Sequence, residues 1–287
     1  MRPKATSPWS PGPDTAWLWR SPWPQSYINF IGRKLLRLGG TLRGVGAFVL
    51  ITLGVLVQKA GTARAVMHPL ILRQLAQSGL FLLPMAGFLA LALGLVVIGQ
   101  TVSLLSRVGA VDLLGTVMVS TVVRELGPLL AVALVLCRTG AANVVELGTA
   151  RAQGEVESLE AIGIDPIHYL VVPRVIGMSL GVFALTVYLI LGAVISGYLW
   201  AFLQDVPLLP SEYFRQLVTA LEGLDFVLLA AKSGLFGLII AVITCYHGLA
   251  QPLALGDVSA ATVRAVGQSV VACVAIDALF VIAYLVL

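Results

Sequence analysis

The chain has 287 residues, 59% of them hydrophobic and 11% charged, with a mean hydropathy of +0.97 and a formal net charge of +4. Soluble domains carry about 25% Asp, Glu, Lys and Arg, so a soluble enzyme, a disordered tail and a coiled coil are excluded. At about 20 apolar residues per crossing, the chain reads as an all-α polytopic membrane protein with about five transmembrane helices.

The first 24 residues hold six of the fourteen prolines and four of the five tryptophans. Proline breaks regular helix and Trp favours the headgroup layer, so residues 1–26 read as an irregular arm. It lacks the apolar core of a cleaved secretory signal. Residues 27–43 mix Tyr27, Ile28, Phe30, Ile31 and three leucines with Arg33, Lys34, Arg37 and Arg43, a basic amphipathic pattern suited to the interface. Val45–Val57 is short for a crossing. The region 27–78 is therefore read as interfacial or elbow helices, preceding membrane helices at 79–100, 113–150, 175–203, 226–249 and 263–287.

The charge is uneven. Residues 1–110 carry eleven Lys/Arg against the single acid Asp14, whereas residues 111–287 carry seven against thirteen acids. A basic region beside apolar spans fits the positive-inside rule better than nucleic-acid binding. It places the N-terminus and the segment 152–170 in the cytoplasm, and 204–225 and the C-terminus outside. Cys137, Cys245 and Cys273 lie in apolar runs, without disulfide or metal spacing. No phosphate-binding loop, metal-ligand spacing or nucleophile-and-base order marks an enzyme, so no cofactor is expected on this chain.

Charges inside spans are costly in lipid and face a bundle interior, a partner or water. Arg124 and Glu125 lie roughly 18 Å into their helix at 1.5 Å per residue. Adjacent on the helix, they point about 100° apart, so each needs another partner. Lys232 and Asp277, on the last two spans, are candidates. One reading is a structural ion-pair cluster. The other is a cationic spot, Arg124 with Lys232, that receives an anionic lipid headgroup through the guanidinium fork. Arg138 and Glu146, eight residues apart, form a second candidate interior pair. The segment 152–166 carries Glu155, Glu157, Glu160 and Asp165 without a base. Val156 and Leu159 give it an apolar stripe, and Asp165-Pro166 ends it. A short acidic, half-apolar helix between spans reads as a docking element or as a solvated connection.

Five motifs follow in order: Arg124-Glu125-Leu126-Gly127-Pro128; Arg138-Thr139-Gly140-Ala141; Glu146-Leu147-Gly148-Thr149-Ala150-Arg151; Leu159-Glu160-Ala161-Ile162-Gly163-Ile164-Asp165-Pro166; and Tyr169 to Arg174. With Lys232-Ser233, Phe236-Gly237 and Cys245-Tyr246-His247-Gly248, this series closely resembles the MlaE/YrbE family of ABC-transporter permeases, from about residue 45 onward. The resemblance implies a permease that works as a homodimer or paired heterodimer in the bacterial inner membrane. It implies two cytoplasmic ATPase subunits that hold ATP and Mg, and a periplasmic MCE-domain protein. The cargo it implies is phospholipid or a related lipid. The family's coupling helix falls on 153–163, which assigns ATPase contact to Glu155, Glu157, Leu159, Glu160, Asp165 and Pro166. The chain departs at Gln153-Gly154-Glu155, where relatives often carry Thr-Glu-Gln. An ion-coupled secondary transporter using Glu125 and Asp277, and a membrane scaffold, are the rival readings.

Overall fold

The computed structural model describes residues 25–58, 64–203, 209–249 and 254–286. The Trp/Pro-rich arm is thus outside the described residues up to position 24. All the described elements are helical. Helix α1 covers Gln25–Gln58, with the apolar stretch Arg43–Gln58 at its end. Five helices follow that are long and apolar enough to cross a membrane: α2 (Ala65–Val108), α3 (Leu114–Ala152), α5 (Ile167–Leu203), α7 (Gly223–Leu249) and α8 (Leu255–Tyr284). Two short helices join them: α4 (Glu155–Ala161) between α3 and α5, and α6 (Pro210–Ala220) between α5 and α7.

Among the described residues, those from Phe48 onward form one compact unit and those up to Ala47 another. Within the larger unit α5 and α7 are central. Helix α5 packs against α2 along its length and against α3 and α7; α7 also packs against α3 and α8. Small residues permit these approaches, because lipid-soluble helices associate through close packing. A Cβ on Gly237 of α7 would lie 2.5 Å from the Ser179 Cα of α5, backbone against side-chain-less backbone. Gly177 and Gly181 of α5 face Gln74 and Ser78 of α2, and the Ser78 hydroxyl donates to the Gly177 carbonyl at 3.2 Å.

Three boundaries differ from the sequence expectation. The rod containing 79–100 begins at Ala65, because Gln74 and Ser78 are buried against α5; a turn at Gly79–Leu82 marks the expected start. The helix expected from 226 begins at Gly223, with Asp225 in its first turn, and Pro210 opens a further helix, α6, within the outside segment 204–225. Helix α4 stops at Ala161, four residues before Asp165, because Gly163 takes a left-handed φ of 80°. Asp165 instead opens α5, its carboxylate accepting the Ile167 N–H at 3.0 Å. Gly154 takes φ 77° in the turn before α4, a conformation costly for residues with a Cβ.

Candidate functional site

Helix α3 is not uniformly α. It widens into π turns at Val119–Leu126 and Leu136–Gly140, a feature frequent at functional sites. Arg124 and Glu125 sit in the first of these. Pro128, four residues after Arg124, has no N–H to offer the Arg124 carbonyl. Lys232 of α7 supplies a donor instead, its Nζ lying 2.8 Å from that oxygen. The same ammonium reaches Glu125 Oε2 at 2.9 Å and Asp277 Oδ1 of α8 at 2.7 Å. Two hydrogen bonds and the ion pair with Asp277 enclose the Lys232 side chain, which is 0% exposed.

Arg124 turns the other way. Its Nη2 donates to one carboxylate oxygen of Asp225 at 3.2 Å, and its Nε lies 2.8 Å from the other, a close ion pair. Its charge also sits 4.9 Å from the centre of the Tyr284 ring, within cation–π range. The Asp225 carboxylate is held on its far side by the Glu222 N–H at 3.0 Å and is 4% exposed. Thus α3, α7 and α8 are bound by two cations and three carboxylates. Arg124 and Glu125 keep 28% and 29% of their side-chain surface exposed, while Lys232 keeps none.

Asp225 is the member that sequence reasoning missed. A signal for it existed: Asp225 and Lys232 are seven residues apart, two turns on one face. Asp277 and Tyr284 repeat that spacing on α8. The structure does not join Arg138 to Glu146. Arg138 is exposed, and Glu146 reaches Arg174 of α5 at 3.0 Å. Arg138 itself lies in the π turn Leu136–Gly140, which offsets its register from Glu146.

Next to the Arg124–Asp225 pair is an apolar cavity of about 460 Å³ between α5, α6 and α7. Phe183, Leu191, Ile195, Phe214 and Phe226 are among its walls, and Asp225 is the charged residue that lines it. Helix α6 roofs this region. Its Tyr213 donates to the Val194 carbonyl at 3.0 Å, and burial pushes the phenol's pKa well above its ordinary value.

Of the acidic segment, Glu155 and Glu160 are exposed. Glu157 is exposed too and pairs with Arg151 at 3.3 Å. Leu159 is half-buried and lines a groove of about 410 Å³ with Val156, Ile162, Tyr169 and Leu170. Asp165 and Pro166 are half-buried where α5 begins. Segment α4 is therefore a short helix with acids outward and a groove beneath it.

The fold and site define a polytopic membrane protein with an ion-paired core. Residues 71–283 match the family described as Permease MlaE. The chain is 31% identical over 246 residues to a protein of Rickettsia bellii named as a probable ABC transporter permease, covering 84% of this chain and 91% of that one. It is 36% identical over 169 residues to a like-named protein of Synechocystis, covering 57% and 62%. It is 31% identical over 177 residues to the chloroplastic protein Trigalactosyldiacylglycerol 1 of Arabidopsis thaliana, covering 60% and 49%. The chain belongs to the MlaE permease family and is an ABC transporter permease. That assignment does not favour the ion-coupled reading.

Proposed function

We propose that this chain is the membrane subunit of an ATP-driven transporter that moves phospholipid, or a related lipid, between the bacterial inner membrane and a periplasmic MCE-domain partner. The observation that carries the proposal is the junction of the 460 Å³ apolar cavity with the Arg124–Asp225 pair. Acyl chains fit walls of Leu, Ile and Phe, which satisfy no polar group. The exposed edges of Arg124 and Glu125 offer a guanidinium for phosphate and a carboxylate for an amine. Lys232, enclosed by acceptors, positions this pair from behind. A chloroplast relative that bears the name of a galactolipid also supports a lipid cargo.

In this reading α4 docks on one of two ATPase subunits, which bind ATP and Mg, through Glu155, Glu157, Leu159, Glu160 and the Asp165-Pro166 corner. A second copy of the chain completes the permease; exposed Val263, Val271 and Leu279 along α8 support that pairing. The N-terminus is cytoplasmic and the C-terminus periplasmic.

Tagging the chain and purifying its complex tests the assembly: an ATPase and an MCE-domain protein are expected, and their absence overturns it. In proteoliposomes of that complex, Arg124→Ala is expected to lower ATP-dependent lipid transfer about tenfold or more, the loss expected for a charge-assisted hydrogen bond. Normal transfer in a folded Arg124→Ala complex rejects the headgroup role. Ion-coupled flux by the chain alone would favour the secondary-transporter reading.

A further inference from the structure

A second site lies at the α4 end of the bundle, away from the Arg124 cluster. Between the first part of α2, the last part of α3 and the start of α5 is a cavity of about 170 Å³. It is well above the ~10–15 Å³ that one water needs. Unlike the large apolar cavity, it has a wall that is about half polar: Arg73, Gln74, Gln77, Glu146, Tyr169 and Arg174 line it together with Leu70, Leu170 and Pro173. Gln74 and Arg174 are only 6% and 8% exposed.

The side chains there are held firmly and are incompletely satisfied. Close approach of α5 at Gly177, where a Cβ would lie 2.6 Å from Gln74 Cβ, fixes Gln74 between the helices. Arg174 donates Nη1 to the Leu170 carbonyl at 2.7 Å and pairs Nη2 with Glu146 at 3.0 Å. Gln74 Nε2 and Arg174 Nε are buried with no hydrogen-bond partner. Buried nitrogens of this kind are rare and call for an explanation. Among the described residues Arg73 has no ion pair, and it is exposed at the mouth. Two guanidinium groups and one carboxylate leave the cavity one positive charge in excess.

We propose that this cavity is a binding site for a phosphate oxyanion of single negative charge, the phosphodiester of a phospholipid headgroup or the dihydrogen form of free phosphate. Arg73 supplies the uncommitted guanidinium, Gln74 and Gln77 supply amide donors, and Arg174, locked by Glu146, supplies a fixed positive wall. Basic pockets between membrane helices recognise headgroups by this chemistry, and guanidinium forks match phosphate oxygens. A phosphodiester neutralises the site, whereas the higher charge of a phosphate monoester overshoots it. The site is independent of the transport reading, since its residues contact neither Arg124 nor the large cavity.

Native mass spectrometry of the full chain in detergent, with phosphatidylglycerol or uncharged diacylglycerol added, tests it. The chain is expected to retain phosphatidylglycerol over diacylglycerol. Arg73→Gln and Gln74→Leu are expected to lower that retention about tenfold, the scale of one charge-assisted hydrogen bond, with Arg73→Lys in between. Both losses are expected to persist in an Arg124→Gln background, which removes the headgroup contact of the first site, whereas Arg215→Gln, at an exposed arginine that lines neither cavity, is expected to leave retention unchanged. Retention that inorganic phosphate fails to compete assigns the site to a lipid headgroup; competition by phosphate assigns it to the soluble ion. Equal retention of both lipids, or full retention in Arg73→Gln and Gln74→Leu, overturns the proposal.

Discussion

Lys232 shows how a single charged residue is tolerated inside an apolar helix. Its ammonium donates to one carbonyl and one carboxylate and is ion-paired with a second carboxylate. Removing one partner of a buried pair costs more than the pair contributes, because a bare charge remains. Lys232→Met is therefore expected to destabilise the chain by about 3–5 kcal/mol, leaving Glu125 and Asp277 facing each other. The triple variant Lys232→Met, Glu125→Gln, Asp277→Asn is expected to recover most of that loss. Thermal unfolding in detergent measures both; a triple variant as unstable as the single one would contradict this charge argument. Asp225→Asn is expected to be destabilising by about 3 kcal/mol on the same scale, since Arg124 loses its buried carboxylate. By contrast Glu157→Gln, at an exposed pair, is expected to change stability by under about 1 kcal/mol.

At the scale of elements, glycine positions decide which helices touch. Small-residue spacings such as Gly177-x-x-x-Gly181 were visible in the sequence but named no partner, since such spacings occur on many membrane helices. The fold supplies one: Gln74 and Ser78 of α2. Gly237 makes the sharper case, because its neighbours are backbone atoms of Met178 and Ser179 that have no rotamer to change. Gly237→Ala is expected to cost about 1–3 kcal/mol through overpacking, read as a lower midpoint in thermal unfolding. Gly234, with open space around it, is the control on the same helix, and Gly234→Ala is expected to be neutral or mildly stabilising. The acidic helix shows the opposite limit of sequence reading. Its charge and apolar stripe were legible, but its end was not. Asp165-Pro166 looked like a stop, whereas the left-handed turn at Gly163 closes α4 and Asp165 opens α5.

For the whole molecule, α4 and α6 lie on connections that flank α5, so in a bilayer they emerge on opposite sides. In a chain whose three cysteines are replaced by serine, Ser158→Cys and Thr219→Cys are expected to label from opposite faces with an impermeant maleimide. Labelling of both from one side would contradict α5 as a crossing. Composition and hydropathy determined by themselves that the chain is helical and crosses a membrane, because too few charges exist to cover a soluble surface. The ordered motifs from Arg124 to Arg174 determined the family. The scarce interior charges identified Arg124, Glu125, Lys232 and Asp277 as the residues to explain. Only the tertiary structure decided how those charges divide. Lys232 takes Glu125 and Asp277, Arg124 takes Asp225, and Glu146 takes Arg174 rather than sharing a site with Arg138. The physical reason is that periodicity fixes which face of a helix a residue occupies. Partner choice across helices depends on crossing geometry and on a π turn that shifts register, and neither is written in the spacing of one segment.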